Sequence, residues 1–125
     1  MTLVSLRFHS YYGNSREMRA DAPATVRGDI AVHRWGMVQP DGTLSLSKKY
    51  WCVSHIPTGA SMDRALPLRL RTRAKRADLV AWAEAIQAAC PAFFDLARKP
   101  GWYTTEDQDT KREAAEQFIA ASKES

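Results

Sequence analysis

The hydrophobic period of this chain changes once, near Ala74, and that change limits the folds open to it. Before it, apolar residues favour every second position: Val4, Leu6 and Phe8 alternate with Ser5, Arg7 and His9. After it, Leu79, Trp82, Ala83, Ile86 and Cys90 recur at helical spacing. Strands first and helices afterwards is the pattern of an α+β fold, an antiparallel sheet with helices on one face. The expectation is a sheet of about four to five strands within residues 2–73, followed by two to three helices within 75–122. At 125 residues the chain is one domain's worth, 1–125, and long enough for one core without disulfides or metal.

Local signals divide the front half. Thr2 to His9 reads as a half-buried strand, and Ser10 to Ser15 as a loop. Arg16 to Ala20 suits one helical turn capped by Ser15 and ended at Pro23. Val26 to Val38 is apolar on both faces, as in a central strand covered from both sides. Gln39-Pro40-Asp41-Gly42 is a turn, with Thr43 to Ser47 returning as its hairpin partner and Lys48-Lys49 at an exposed turn or edge. Tyr50 to Ile56 is the next strand, closed by Pro57-Thr58-Gly59, and Ala60 to Asp63 starts a return strand. Leu66, Leu68 and Leu70 then alternate with Arg69, Arg71 and Arg73, the pattern of an exposed basic strand.

In the back half, Ala77 to Cys90 and Ala92 to Lys99 read as helices broken at Pro91. Phe93, Phe94 and Leu96 face inward in the second of them. Thr105 and Gln108 fit a capping box for a last helix. Its docking stripe is Ala115, Phe118, Ile119 and Ser122, thin enough to be completed by a partner.

The charge is uneven. The net +4 splits into +8 over residues 1–76 and −4 over residues 77–125. A basic half invites a polyanion or an acidic protein surface and argues against a mimic of DNA. No apolar run reaches the roughly 18 residues of a membrane span, and the N-terminus lacks a secretory pattern. Cys52 and Cys90 match no CxxC spacing. The expectation is a cytoplasmic protein with reduced thiols and no membrane association.

Two groups of residues are candidates for binding. Arg69, Arg71 and Arg73, if extended, would stand about 6.6 Å apart on one face, close to the phosphate spacing of one nucleic-acid strand. Lys75 and Arg76 extend that ridge. A solvated edge strand and an interface for an acidic protein are its other readings. His33 with Trp35, and Trp51 with His55, share strand faces, so neighbouring strands would join them into one aromatic patch. That patch reads either as a stacking platform for unpaired bases or as core beneath the helices.

Metal binding and catalysis find less support. Cys52 and His55 are three apart and would point to opposite faces of a strand. No HExxH, GxSxG, Walker or GxGxxG pattern is present, and no cofactor is implied. A Cys–His nucleophile would need a nearby imidazole and surroundings that favour the thiolate. Sites assembled from distant residues leave no local motif, so a small enzyme stays open as a third class. Arg27-Gly28-Asp29 spells an adhesion tripeptide and is read as chance.

The run Trp51-Cys52-Val53-Ser54-His55-Ile56-Pro57-Thr58-Gly59, followed by a basic segment and an Ala-rich helix, resembles small uncharacterised proteins of phages and mobile elements. The resemblance covers about a third of the chain and carries over no site residue. It implies an accessory protein that blocks a host defence complex by binding, as anti-CRISPR inhibitors do. The expected function is therefore non-enzymatic: a basic surface docked on a host protein or nucleoprotein complex with an acidic surface. The alternative is sequence-independent DNA or RNA binding. The expected binding residues are Arg69, Arg71, Arg73, Lys75, Arg76, Trp35 and Trp51.

Overall fold

Leu6 and Phe8 are buried while Ser5, Arg7 and His9 are exposed, so the first alternation makes a strand, β1 (Thr2–Ser10). The computed structural model describes residues 1–10, 13–71, 74–98 and 108–124, with side chains over 1–10, 18–71, 74–98 and 112–122. β1 pairs antiparallel with β2 (Gly13–Arg27), from Thr2 opposite Ala24 to His9 opposite Glu17. The helical turn expected over Arg16–Ala20 is thus a strand instead. Ala20, Ala22 and Ala24 supply its period of two, with Ala22 and Ala24 fully buried. Pro23 does not end the element; it faces Leu3 where β2 has not yet reached β3.

β2 then pairs with β3 (Ile30–Val38) over Ala24–Arg27, and β3 with β4 (Leu44–His55), giving the order β1-β2-β3-β4. The end of β1 returns to pair in parallel with the end of β3, His9 opposite Met37 and Ser10 opposite Val38. The sheet therefore curls on itself and encloses Leu6, Phe8, Ala22, Ala24, Ala31 and Val38. Small alanines allow this close approach. β3 is covered on both faces, as its two-sided apolar pattern requires.

The other face of β3 and β4 carries the main core. Ile30, Val32 and Val53 meet Leu79, Trp82, Ala83 and Ile86 of α2 (Arg76–Ala89) and Phe94 of α3 (Pro91–Ala97). Each such side chain fully buried contributes about 1.5–3 kcal/mol. α4 (Gln108–Glu124) docks through Phe118, which stacks on Phe93 at 4.1 Å between ring centroids. Ala114 and Ser122 are buried beside it, whereas Ile119, expected inward, is 52% exposed. The helix packs on its own chain. Thr105 of the expected capping box lies outside the described residues.

The basic strand expected over Leu66–Arg73 does not form in its described part, Leu66–Arg71. A 3₁₀ turn (Asp63–Ala65) leads to a four-residue helix, α1 (Leu68–Arg71). The edge of β4 that such a strand would join is already occupied: His55 N–H donates to Ala60 O, Met62 N–H to Val53 O, and Ser61 bridges Ser54. The return strand expected at Ala60–Asp63 is reduced to this bridge. Leu66 and Leu70, four apart, both bury, while Leu68 is 81% exposed. That is helical selection from a Leu-x-Leu-x-Leu run.

Candidate aromatic and arginine site

The pairing of β3 with β4 breaks at one point. Arg34 faces Trp51 and Gly36 faces Leu46, so Trp35 alone stands against Ser47, Lys48, Lys49 and Tyr50. β4 carries three extra residues there, a bulge larger than the usual single insertion and of the kind that re-aims side chains. The bulge is built by two polar groups. The Arg34 guanidinium donates to the carbonyls of Ser47 (3.4 Å) and Lys48 (2.8 Å), and the Ser47 hydroxyl accepts from Lys49 N–H and Tyr50 N–H, both at 3.1 Å. Arg34 also lies over the Trp51 ring, 4.4 Å from its centroid.

The bulge opens a hollow of about 480 Å³ lined by Trp35, Tyr50, Trp51, Cys52, Asp63, Arg64 and Arg71. Trp51 packs against the helix-side core and is approached by a second guanidinium, Arg76, at 5.8 Å. Trp35 and Tyr50 remain 42% and 50% exposed, unusual for rings of this size. Arg71 is held by the carbonyls of Leu66 (2.9 Å) and Arg64 (3.2 Å), so its cation is fixed in place without being neutralised by them. Arg64 in the lining is exposed, as are Lys48 and Lys49, which precede Tyr50 in the chain, and Arg76, which approaches Trp51. Asp63, the acid in the lining, spends one oxygen on Val53 N–H at 3.0 Å.

The hollow gathers several residues expected to bind and disperses others. Trp35, Trp51 and Arg71 share it, and Arg76 reaches the Trp51 ring, while exposed Lys75 is not in its lining. Arg69 and Arg71 lie two apart on a helix and point in different directions, so the ridge of evenly spaced guanidiniums is not formed. Arg73 lies outside the described residues. The single patch of His33, Trp35, Trp51 and His55 is also corrected. His33 is turned to the curled side with Cys52 and Ser54, while Trp51 and His55 face the helices. Sequence reading missed Arg34, Tyr50 and Arg64. The failure of alternation through Ser47-Lys48-Lys49-Tyr50, next to a tryptophan, was the available signal.

The second polar cluster sits under the curled sheet. His33 donates from Nδ1 to Arg34 O and accepts at Nε2 from the Ser54 hydroxyl, both at 2.8 Å. Those two bonds fix its tautomer. Cys52 Sγ lies 3.5 Å from both ring nitrogens. Burial pushes the Cys52 thiol far up, with the Asp63 charge adding to it, and pushes the His33 imidazole down. The surroundings thus favour a neutral thiol beside a neutral ring, not the thiolate a cysteine nucleophile needs. The adjoining cavity is about 80 Å³. Among the described residues, no three His, Cys, Asp or Glu side chains are grouped to hold a metal ion. Among them also, no single helix is long and apolar enough to cross a membrane.

The adhesion tripeptide is absorbed by the fold. Arg27 pairs with Glu84 at 2.8 Å, Asp29 pairs with Arg98, and the Gln87 carboxamide bonds Arg27 O and Asp29 N–H. No family model matches the chain, and no curated protein or solved structure matches it either.

Proposed function

We propose that this is a non-enzymatic binding protein, which docks through the bulge surface on an anionic macromolecular partner. The observation that carries the reading is the pair of rings, Trp35 and Tyr50, left exposed within a rim of cations. Leaving such rings in water forgoes the burial a fold would otherwise take. Tryptophan, tyrosine and arginine are the residues that dominate the energetics of macromolecular interfaces. The bulge adds rigidity, because Arg34 and Ser47 fix the backbone that presents Lys48, Lys49 and Tyr50. A partner then meets a preformed surface, with less ordering to offset.

The resemblance to phage and mobile-element proteins suggests the kind of partner: a host protein or nucleoprotein complex with an acidic or nucleic-acid surface, blocked by occupation. Affinity capture of the intact protein from a bacterial lysate tests this. The wild-type chain is expected to retain one defined complex, and the Lys48→Glu, Lys49→Glu double variant to lose it while keeping its circular dichroism spectrum. Retention of the same complex by the double variant would overturn the reading.

A further inference from the structure

We propose that the hollow is a binding site for single-stranded nucleic acid, with unpaired bases stacking on Trp35 and Tyr50 and flanking phosphates meeting the surrounding cations. The inference rests on the docking reading above and names its ligand. Three features point to that chemistry. The first is that three aromatic side chains, Trp35, Tyr50 and Trp51, line one hollow. Base faces stack on such rings with little dependence on sequence. A duplex hides its base faces, so it would leave Trp35 and Tyr50 unused.

The second feature is the charge. Exposed Lys48 and Lys49 precede Tyr50 along the bulge, and exposed Arg64 and Arg71 line the opposite stretch of chain, from the 3₁₀ turn and α1. A strand whose base enters the hollow therefore has cations on both sides for its phosphates. The third is preorganisation. Arg71 is held by two carbonyl oxygens, and Arg34 holds the bulge backbone from beneath while lying over Trp51. An acidic protein surface can also use exposed rings as anchors. It does not call for three of them gathered in one concavity of about 480 Å³, which successive stacked bases do.

The test is fluorescence anisotropy with labelled oligothymidylate and oligouridylate of about 12 nucleotides, inside the usual site sizes of single-strand binders. A blunt duplex of the same length and inorganic polyphosphate serve as comparison ligands. The expected result is binding of both single strands at least tenfold tighter than of the duplex, weakening steeply with salt. Polyphosphate, which has no bases, competes poorly. Trp35→Ala and Tyr50→Ala are each expected to weaken binding by roughly five- to a hundredfold. Both rings are about half exposed and belong to neither core cluster, so neither change hollows the core. Equal affinity for duplex and single strand, or unchanged binding in both variants, overturns the inference. If no oligonucleotide binds but the wild-type protein still captures a nuclease-resistant complex that needs Lys48 and Lys49, this inference fails and the docking reading stands. If neither binding nor capture is seen, both fall.

Discussion

Gly28 and Gly42 both take left-handed backbone angles, φ +58° and +87°, but their surroundings differ. A Cβ on Gly28 would run into the Gln87 carboxamide, which bonds the backbone on either side of that glycine. A Cβ on Gly42 would meet nothing within 4 Å. Gly42→Ala is therefore expected to cost about 1 kcal/mol, the price of a left-handed alanine alone. Gly28→Ala is expected to cost about 2–4 kcal/mol, since overpacking adds to it and Gln87 must give up its bonds. Urea midpoints of the two variants check this, and equal shifts would show that Gln87 moves aside freely. The comparison also explains why Arg27-Gly28-Asp29 could not be understood from sequence. Its partners Glu84, Gln87 and Arg98 come from α2 and the end of α3, some 57 to 69 residues away.

At the scale of elements, the legible parts were those whose signal is local. β1, the Pro-Asp-Gly turn, α2 and the break at Pro91 follow from period and turn chemistry within a few residues. The turn shows why: Gly42 N–H donates to Gln39 O at 2.9 Å, and Asp41 accepts from both the N–H and the hydroxyl of Thr43. The strand expected over Val26–Val38, by contrast, is β3 only from Ile30, because Val26 and Arg27 end β2 and pair back onto Ala31 and Ile30. The misread parts depend on what arrives from elsewhere. Arg16–Ala20 has helix-favouring residues, but β1 lies alongside and recruits it as a strand. Leu66–Arg73 has a strand's alternation, but the Ala60–Asp63 segment has taken the open edge. Of the candidate site, Trp35, Trp51 and Arg71 were read from residue type, while the bulge that unites them depends on a register shift no single strand reveals. A pair of substitutions separates the two readings of the leucine run. Leu70→Ala is expected to cost about 2–5 kcal/mol and Leu68→Ala less than about 0.5 kcal/mol. Equal costs in urea denaturation would restore the strand, which places both leucines on one face.

For the whole molecule, two buried histidines tie the layers to β3 and β4, and both must stay neutral. His33 is bonded beneath the curled sheet, with Phe8 edge-on at 5.6 Å. His55 lies against Phe94 on the helix side and bonds Thr58 Oγ1 at 3.0 Å. Burial holds each imidazole below the ordinary histidine value. At His33 the Arg34 carbonyl and Asp63 partly oppose the shift; at His55 Asp29 opposes it and Arg98 reinforces it. The unfolded chain takes up these protons near the ordinary pKa of about 6.5, while the folded chain does not until lower pH. Between those values the unfolded state binds more protons, so stability rises with pH there. Their contribution is constant above about pH 6.5 and falls as the solution is acidified below it. The slope is at most about 1.4 kcal/mol per pH unit for each histidine. The usual carboxylate range, near pH 4, lies below this window. The urea midpoint is therefore expected to drop between pH 7.5 and 5.5, and His55→Gln to show a smaller drop than wild type whatever its starting stability. A midpoint that holds or rises on acidification would mean that both rings charge in place. The acid-sensitive joint would then not be β3 and β4, the two strands that also carry the bulge.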